Sequence, residues 1–384
     1  MSDNIIVIGA GISGVTTALT LQLLGYNTKI YTEQTIDQVD SPNSQPAFAS
    51  QFPSASIIPH SVYSDQLESL FQYSQSTFYE LRKLVFPGLT THKHFEVFEF
   101  DPGQPEYRNW MLNLQPIADL DPETIPRRSN AENLSGWVFD CLFTDWPLYF
   151  PALIKQYRAT GGTITHKKLS AADISKFPAE IIINCSGTGS PALFDDPIKK
   201  QLVLRGHLLH RPEAPLITNS DNEVISYNYT PKASIYSDSD GNACDVYCYP
   251  RKDGWILGGS RQAGQLGQEY WDEQFSTSES YTINDVTFPS QIIDLNDQIL
   301  EQTFGHSLKH NDDVRPLVGY RYIRSTENGL RLESETLGSK KIYHNYGHGG
   351  AGVTLSWGCA MQLTSKIQSQ EISEIQSRII AKLK

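Results

Sequence analysis

A short apolar strand, a glycine-rich turn and a helix fill the first 25 residues, and this order fixes how the chain must begin to fold. Ile5-Ile6-Val7-Ile8 has no polar residue in its run, the pattern of a strand buried on both faces. Gly9-x-Gly11-x-x-Gly14 follows directly, and a helix is predicted from Ser13 to Leu24, closed by Gly25. Thr28 to Thr32 reads as a second strand, ended by Glu33, nineteen residues past Gly14. Gly9 permits the tight turn, Gly11 lets a pyrophosphate approach the backbone, and Gly14 allows close helix–strand packing. Gly9, Ala10, Gly11, Ile12, Ser13 and Gly14 thus present amide donors at a helix N-terminus, where the dipole favours an anion. Glu33 stands where a carboxylate accepts from ribose hydroxyls. An acid there disfavours a 2′-phosphate, so NADP is set aside, while NAD and FAD both stay open on this motif.

At 384 residues the chain is too long for one ordinary core. Residues 35–60, rich in Ser, Pro, Gln and Asp, read as a long loop. Helices are predicted over Asp65–Leu84, Leu148–Thr160 and Gln291–Phe304, with one more from about Leu355 to the C-terminus. Strands are predicted at Thr163–His166, Glu180–Asn184, Leu330–Glu333 and Lys341–His344. Residues 203–262 alternate like antiparallel strands, at Val203–His210, Ala243–Tyr249 and Trp255–Gly259. The α/β signals cluster at both ends and near 145–195, and the antiparallel signals lie between. The expected fold is α/β: a discontinuous Rossmann-like domain at 1–75, 145–200 and 311–384, with an antiparallel-sheet substrate domain at 76–144 and 201–310.

The net charge of −12 argues against nucleic acid and anionic membranes as partners. Five cysteines, none in a Cys-x-x-Cys pair, suit reduced thiols, and Cys244 and Cys248 lack a second pair to complete a zinc site. No apolar run approaches the roughly 20 residues that span a bilayer, and the N-terminus runs straight into a strand, unlike a signal peptide. A cytoplasmic protein is expected. The terminal Ala-Lys-Leu-Lys is not a peroxisomal address.

A second glycine run, Gly347-His348-Gly349-Gly350-Ala351-Gly352-Val353-Thr354, sits between a strand and the last helix. It makes a nest of backbone amides suited to a planar anionic edge such as that of a flavin. His344 and His348 are four apart, but glycine interrupts them, so no metal site is expected.

Four separated stretches resemble the D-amino-acid oxidase family of flavoproteins, which includes D-aspartate oxidase. They are the fingerprint through Lys29-Ile30-Tyr31-Thr32-Glu33; Asn184-Cys185-Ser186-Gly187-Thr188-Gly189-Ser190; Tyr247-Cys248-Tyr249-Pro250 through Gly258-Gly259-Ser260-Arg261-Gln262; and His344-Asn345-Tyr346-Gly347-His348-Gly349-Gly350 through Trp357-Gly358-Cys359-Ala360. The resemblance covers nearly the whole chain and selects FAD, held non-covalently, over NAD. It implies oxidation of a D-amino acid by hydride transfer to the flavin, giving a 2-oxo acid, ammonia and hydrogen peroxide.

The resemblance also implies roles residue by residue. Tyr247 and an arginine hold the substrate carboxylate, a task suited to guanidinium geometry. The arginine is Arg321, with Arg324 and Arg331 as alternatives. The carbonyl of Gly350 accepts from the substrate amine. Ala55 and Ser56 belong to a loop along the cofactor, Leu169 lies near the strand that touches adenine, and Ser186, Gly187, Gly347, Gly349, Ala351, Gly352, Val353 and Thr354 complete the cofactor set. Tyr249 is placed with the substrate. Arg205-Gly206-His207 departs from the family's Arg-Gly-Gln.

His60 and Arg261, fourteen residues after Tyr247, lean toward acidic substrates as in D-aspartate oxidase. A further arginine of that subgroup is replaced by Asp240, and the lid tyrosine of the neutral oxidases by Ala243, with Tyr236 as a candidate to reach in. Two competing readings follow: an oxidase or dehydrogenase of a secondary, N-substituted or cyclic amine, and a flavin-binding protein without oxidase turnover. The expected partners are an amino-acid or amine substrate and O2, with a homodimer as the oligomer to test.

Overall fold

A computed structural model of the chain describes residues 4–35, 45–268, 271, 280–309 and 313–384. Part of the polar stretch predicted as a loop, residues 36–44, lies outside the described residues, as does the domain cut expected before residue 311. Two compact units emerge: residues 1–89, 146–203 and 321–384 form the first, and residues 90–145 and 204–320 the second.

With elements numbered along the chain, the first unit holds β1 (Asn4–Ile8), α1 (Ile12–Leu23), β2 (Asn27–Thr32), α2 (Leu67–Lys83), α3 (Trp146–Ala159), β6 (Thr163–His166), α4 (Ala171–Lys176), β7 (Ile181–Asn184), α5 (Ser190–Leu193), β16 (Ser334–Leu337), β17 (Lys340–His344), α7 (Ser356–Gln368) and α8 (Ile372–Leu383). Its six-stranded sheet runs β16-β17-β7-β1-β2-β6. All neighbours pair in parallel except β16, which runs antiparallel to β17. β1 is central, so Ile5 to Ile8 are buried on both faces, as their unbroken apolar run requires.

The turn from β1 into α1 shows why two of its residues are glycine. Gly9 has φ of +102°, which a side chain resists, and a Cβ on Gly14 would stand 1.9 Å from the Gly9 carbonyl oxygen. α1 is buried nearly all round and packs against α3 and α7. Amphipathic α2 turns Leu70, Phe71, Ser74, Phe78 and Leu81 inward, and Gly358 of α7 donates its N–H to Ser74 Oγ at 2.7 Å. The domain cut expected at residue 75 would divide α2, which lies wholly in the first unit.

The second unit holds β3 (Leu89–Phe98), β4 (Leu112–Pro116), β5 (Ser135–Thr144), β8 (Leu202–Pro212), β9 (Val224–Thr230), β10 (Val246–Arg251), β11 (Gly254–Gly258), β12 (Gln262–Gln265), β13 (Ser280–Ile283), β14 (Val286–Pro289), α6 (Gln291–Phe304) and β15 (Arg315–Arg324). Strands β3, β8 and β15 each straddle a cut between units. The large sheet runs β12-β8-β11-β10-β9-β3-β5-β4, and β15 pairs with β8. The β8–β11–β10–β9 run is antiparallel as expected, but β3 pairs with β9 in parallel, from His92 opposite Val224 to Phe98 opposite Thr230. α6 covers one face of this sheet with Ile292, Ile293, Leu295, Ile299 and Leu300. At about 1.5–3 kcal/mol per buried aliphatic side chain, those five contribute on the order of 10 kcal/mol.

Two elements depart from the sequence reading. Leu330–Glu333 is no strand: Arg331 makes only an isolated bridge to Tyr346, and the pairing strand is β16. The C-terminal helix is two helices, because Ser369 takes φ of +53° between α7 and α8.

Replacing Gly14 with Ala should destabilise the protein by about 3 kcal/mol through the clash with Gly9, read as a lower midpoint in urea. An unchanged midpoint would show that the β1–α1 turn can open to admit a methyl group.

Candidate functional site

The first unit gathers its glycine loops around the N-terminus of α1. Gly11 is the N-cap residue, with no side-chain cap and no acid in the first turn, so the positive end of the helix is left to other acceptors. The Ser50 hydroxyl takes one amide, that of Ile12, at 3.0 Å. The Ala10 amide donates to Thr32 Oγ1 at 3.2 Å. Behind the turn, a Cβ on Gly9 would stand 2.4 Å from the Cys185 carbonyl and 3.2 Å from Ser186 Cα. The second glycine run closes from the other side: Ser13 Oγ lies 3.5 Å from His348 Nδ1, and a Cβ on Gly352 would meet Ile12.

The remaining predicted cofactor residues fall around this core of loops. Ala55 holds φ of +71°, and the carbonyls of Ser56 and Ile58 accept from Thr354 Oγ1 at 3.2 and 3.1 Å. Ser186 Oγ donates to Asn184 at 2.6 Å and turns the chain into Gly187. Glu33 ends β2, where it pairs with Lys168 at 2.7 Å on the surface. Leu169 follows Lys168 and packs against the cluster of Ile6, Ile8 and Ile182. An uncapped helix start and a turn with no room for side chains fit a dinucleotide's pyrophosphate, while the amides of Gly349, Gly350 and Ala351 in the second glycine run already donate to protein carbonyls. None of the five cysteines is in a disulfide and all are buried; burial pushes the Cys185 thiol, beneath the fingerprint, up to about 12.

The glycine run also meets a candidate substrate arginine. The Gly349 amide donates to the Tyr322 carbonyl at 2.9 Å, and the Gly350 amide to the Ser61 carbonyl at 2.9 Å. A Cβ on Gly350 would stand 3.5 Å from Arg321 Cδ and 3.0 Å from Ser61 Cβ. Arg321 and Ser61 therefore flank Gly350. Sequence reasoning missed Ser61, although it follows His60, whose amide turns back to the Ile58 carbonyl at 2.9 Å. Ser61 is held at φ of +57°, a conformation a serine adopts only under constraint.

The other two arginines are occupied elsewhere. Arg324, at φ of +72°, grips Asp196 with two hydrogen bonds of 2.8 and 3.0 Å, both side chains buried. Tyr346 donates its hydroxyl to the same carboxylate. Arg331 bonds Glu333 at 2.6 Å and Tyr346 Oη at 3.0 Å. A substrate-binding role for Arg324 or Arg331 would require breaking this network. His344 is likewise engaged, between Asn184 at 3.1 Å and Glu335 at 3.0 Å. Burial pushes His348 down to about 4, so its ring is neutral near pH 7.

In the second unit, Tyr247 and Tyr249 lie on the sheet face opposite α6, with ring centroids 5.1 Å apart. Tyr247 crosses its register partner Gly258, where a Cβ would stand 2.3 Å from the phenol oxygen. Tyr249 donates its hydroxyl to Asn228 at 2.6 Å and stacks with His94. Burial holds His94 near 3, so it adds no charge to this face. Arg261 is ion-paired with Asp245. Tyr236 is buried and donates to the Gly259 carbonyl at 2.7 Å, so it does not serve as a lid.

The family model described as FAD dependent oxidoreductase matches residues 4–366. A D-amino-acid oxidase of Rubrobacter xylanophilus is 24% identical, covering 92% of this chain and 93% of that protein. A D-aspartate oxidase of Talaromyces thermophilus is 25% identical over the full length of both. Among solved structures, glycine oxidase from Geobacillus kaustophilus superposes with a TM-score of 0.62 at 12% identity, covering 96% of each chain. Among the described residues, no helix is long and apolar enough to cross a membrane.

Asp196 sets a pH dependence. Burial works to raise its pKa, but the bonds from Arg324 and Tyr346 outweigh burial and hold it below the ordinary carboxylate range. Its contribution is therefore full above the unfolded carboxylate's pKa and is lost as pH falls through the lower folded value. Asp196→Ala should cost about 3–5 kcal/mol at pH 7, because it strands the buried Arg324 charge. In urea titrations the gap between wild type and variant should narrow as pH drops toward 3; a gap independent of pH would remove the ion pair from the account.

Proposed function

The chain belongs to the FAD dependent oxidoreductase family, and on that premise we propose that it is an oxidase of D-amino acids. The observation that carries this reading is Arg321 lying against Gly350, whose added Cβ would stand 3.5 Å from Arg321 Cδ. An α-amino acid needs that pair of groups, one for its carboxylate and one for its amine.

Bound FAD supplies the two-electron acceptor. Arg321 grips the substrate carboxylate with its planar fork. The Gly350 carbonyl accepts an N–H of the substrate amine and so orients the neutral amine with its lone pair aligned to the breaking Cα–H bond. The Cα hydrogen leaves with its electron pair, so no side chain acts as a base at Cα. The chain's part is orientation and electrostatics. The imino acid then hydrolyses to a 2-oxo acid and ammonia, and O2 takes the electrons as hydrogen peroxide.

Arg261 is already paired with Asp245, so that residue offers a side-chain carboxylate little attraction. His60 is half-buried and stays at the edge of the proposal. One observation favours a second reading, turnover of secondary amines: Tyr236, the candidate to reach in as a lid, is tied to the Gly259 carbonyl.

The test is anaerobic bleaching of the yellow protein by a panel of D- and L-amino acids and secondary amines, followed by peroxide release in air. Bleaching by D-amino acids alone is expected; bleaching only by secondary amines would move the assignment to the second reading. Arg321→Ala should lower kcat/KM on the best substrate by at least about 100-fold, the loss expected when a charged fork is removed. Near wild-type kinetics in that variant would overturn the role of Arg321.

A further inference from the structure

One buried side chain beside the fingerprint loop has an acceptor that the protein leaves unmet. Residues Ala49–Gln51 form a single tight turn, and the Ser50 hydroxyl within it binds the Ile12 amide. The same hydroxyl lies 3.0 Å from where a Cβ on Gly11 would stand, so this turn lies directly against the phosphate-binding loop. Gln51 is the next residue and is 6% exposed. Its Nε2 donates to the Gln45 carbonyl at 2.6 Å. That carbonyl can only accept, so the amide cannot be flipped, and Oε1 is the atom left over. Among the described residues, Oε1 has no hydrogen-bond partner.

A buried amide oxygen without a donor costs free energy, and native folds rarely leave one so. A turn placed against a pyrophosphate site suggests where the donor comes from. The pyrophosphate itself offers acceptors only. The groups on either side of it, the adenosine ribose and the ribityl chain, carry hydroxyls that donate. We infer that Gln51 is a ligand of the cofactor, its Oε1 accepting from a hydroxyl beside the pyrophosphate. Sequence reading missed it because glutamine belongs to no fingerprint; only its burial and its unmet acceptor single it out.

The inference gives opposite signs for two measurements, neither of which uses turnover. Gln51→Met keeps the length and apolar volume of the side chain and deletes the acceptor. In the apoprotein it removes an unmet polar atom and one bond to the half-buried Gln45, so the melting temperature should stay within about 3 °C of wild type. In the holoprotein it removes a bond to FAD, so the Kd of FAD, read by quenching of flavin fluorescence, should rise about tenfold. Binding of FMN and competition by ADP identify the donor: weaker ADP competition places it on the adenosine ribose, and weaker FMN binding on the ribityl chain. Unchanged FAD affinity, or an apoprotein that no longer melts cooperatively, would overturn the inference and make Gln51 a purely structural residue.

Discussion

The Gly9 carbonyl oxygen occupies the space that a side chain on Gly14 would need, and the first unit depends on that contact. It brings the start of α1 onto the end of β1, which points the first amides of the helix away from the sheet. β2 and β7 then flank β1 in parallel, so the loops that follow these strands emerge at the same edge. Cys185 and Ser186 pack behind Gly9 for this reason, and Glu33 leaves β2 on the same side. The binding loop is thus a consequence of sheet order, and its chemistry is mostly that of the backbone.

What the sequence revealed were the features that depend on near neighbours. The strand–turn–helix pattern at residues 4–23, the span of α6 and the strand Thr163–His166 each follow from local periodicity and end signals. What it hid depends on distant partners. Arg321, Arg324 and Arg331 lie within eleven residues of one another and look alike in sequence. Asp196, which claims Arg324, is 128 positions away, and nothing in the local pattern announces it. The parallel pairing of β3 with β9 is equally non-local. The break at Ser369 escaped because a serine in the left-handed region leaves no mark of the kind glycine does.

Charge is handled differently in the two units. The chain is acidic as a whole, yet the first unit buries the Asp196–Arg324 pair beside Tyr346 and Arg331, close to the run that carries Gly350. Buried ion pairs are poor sources of net stability, because desolvation offsets most of the attraction. Their value here is geometric: a two-point grip holds the end of β15 at a backbone angle that arginine would not otherwise adopt. In the second unit, burial keeps His92 and His94 neutral, so the face bearing Tyr247 relies on hydroxyls and aromatic rings.

The amide of Gly349, bonded to the Tyr322 carbonyl, clips the second glycine run to the strand that carries Arg321, and the amide of Gly350 ties the run to Ser61. The run lies beside the nucleotide loop on one side and Arg321, the arginine proposed to hold substrate, on the other. A ligand that orders the run therefore orders Arg321 in the same act, and thermodynamic reciprocity makes the effect mutual. In the proposed role of Arg321, substrate held there would tighten the hold on the cofactor by the same free energy with which the cofactor prepares the arginine. Loading and recognition are then two readings of one mechanical element.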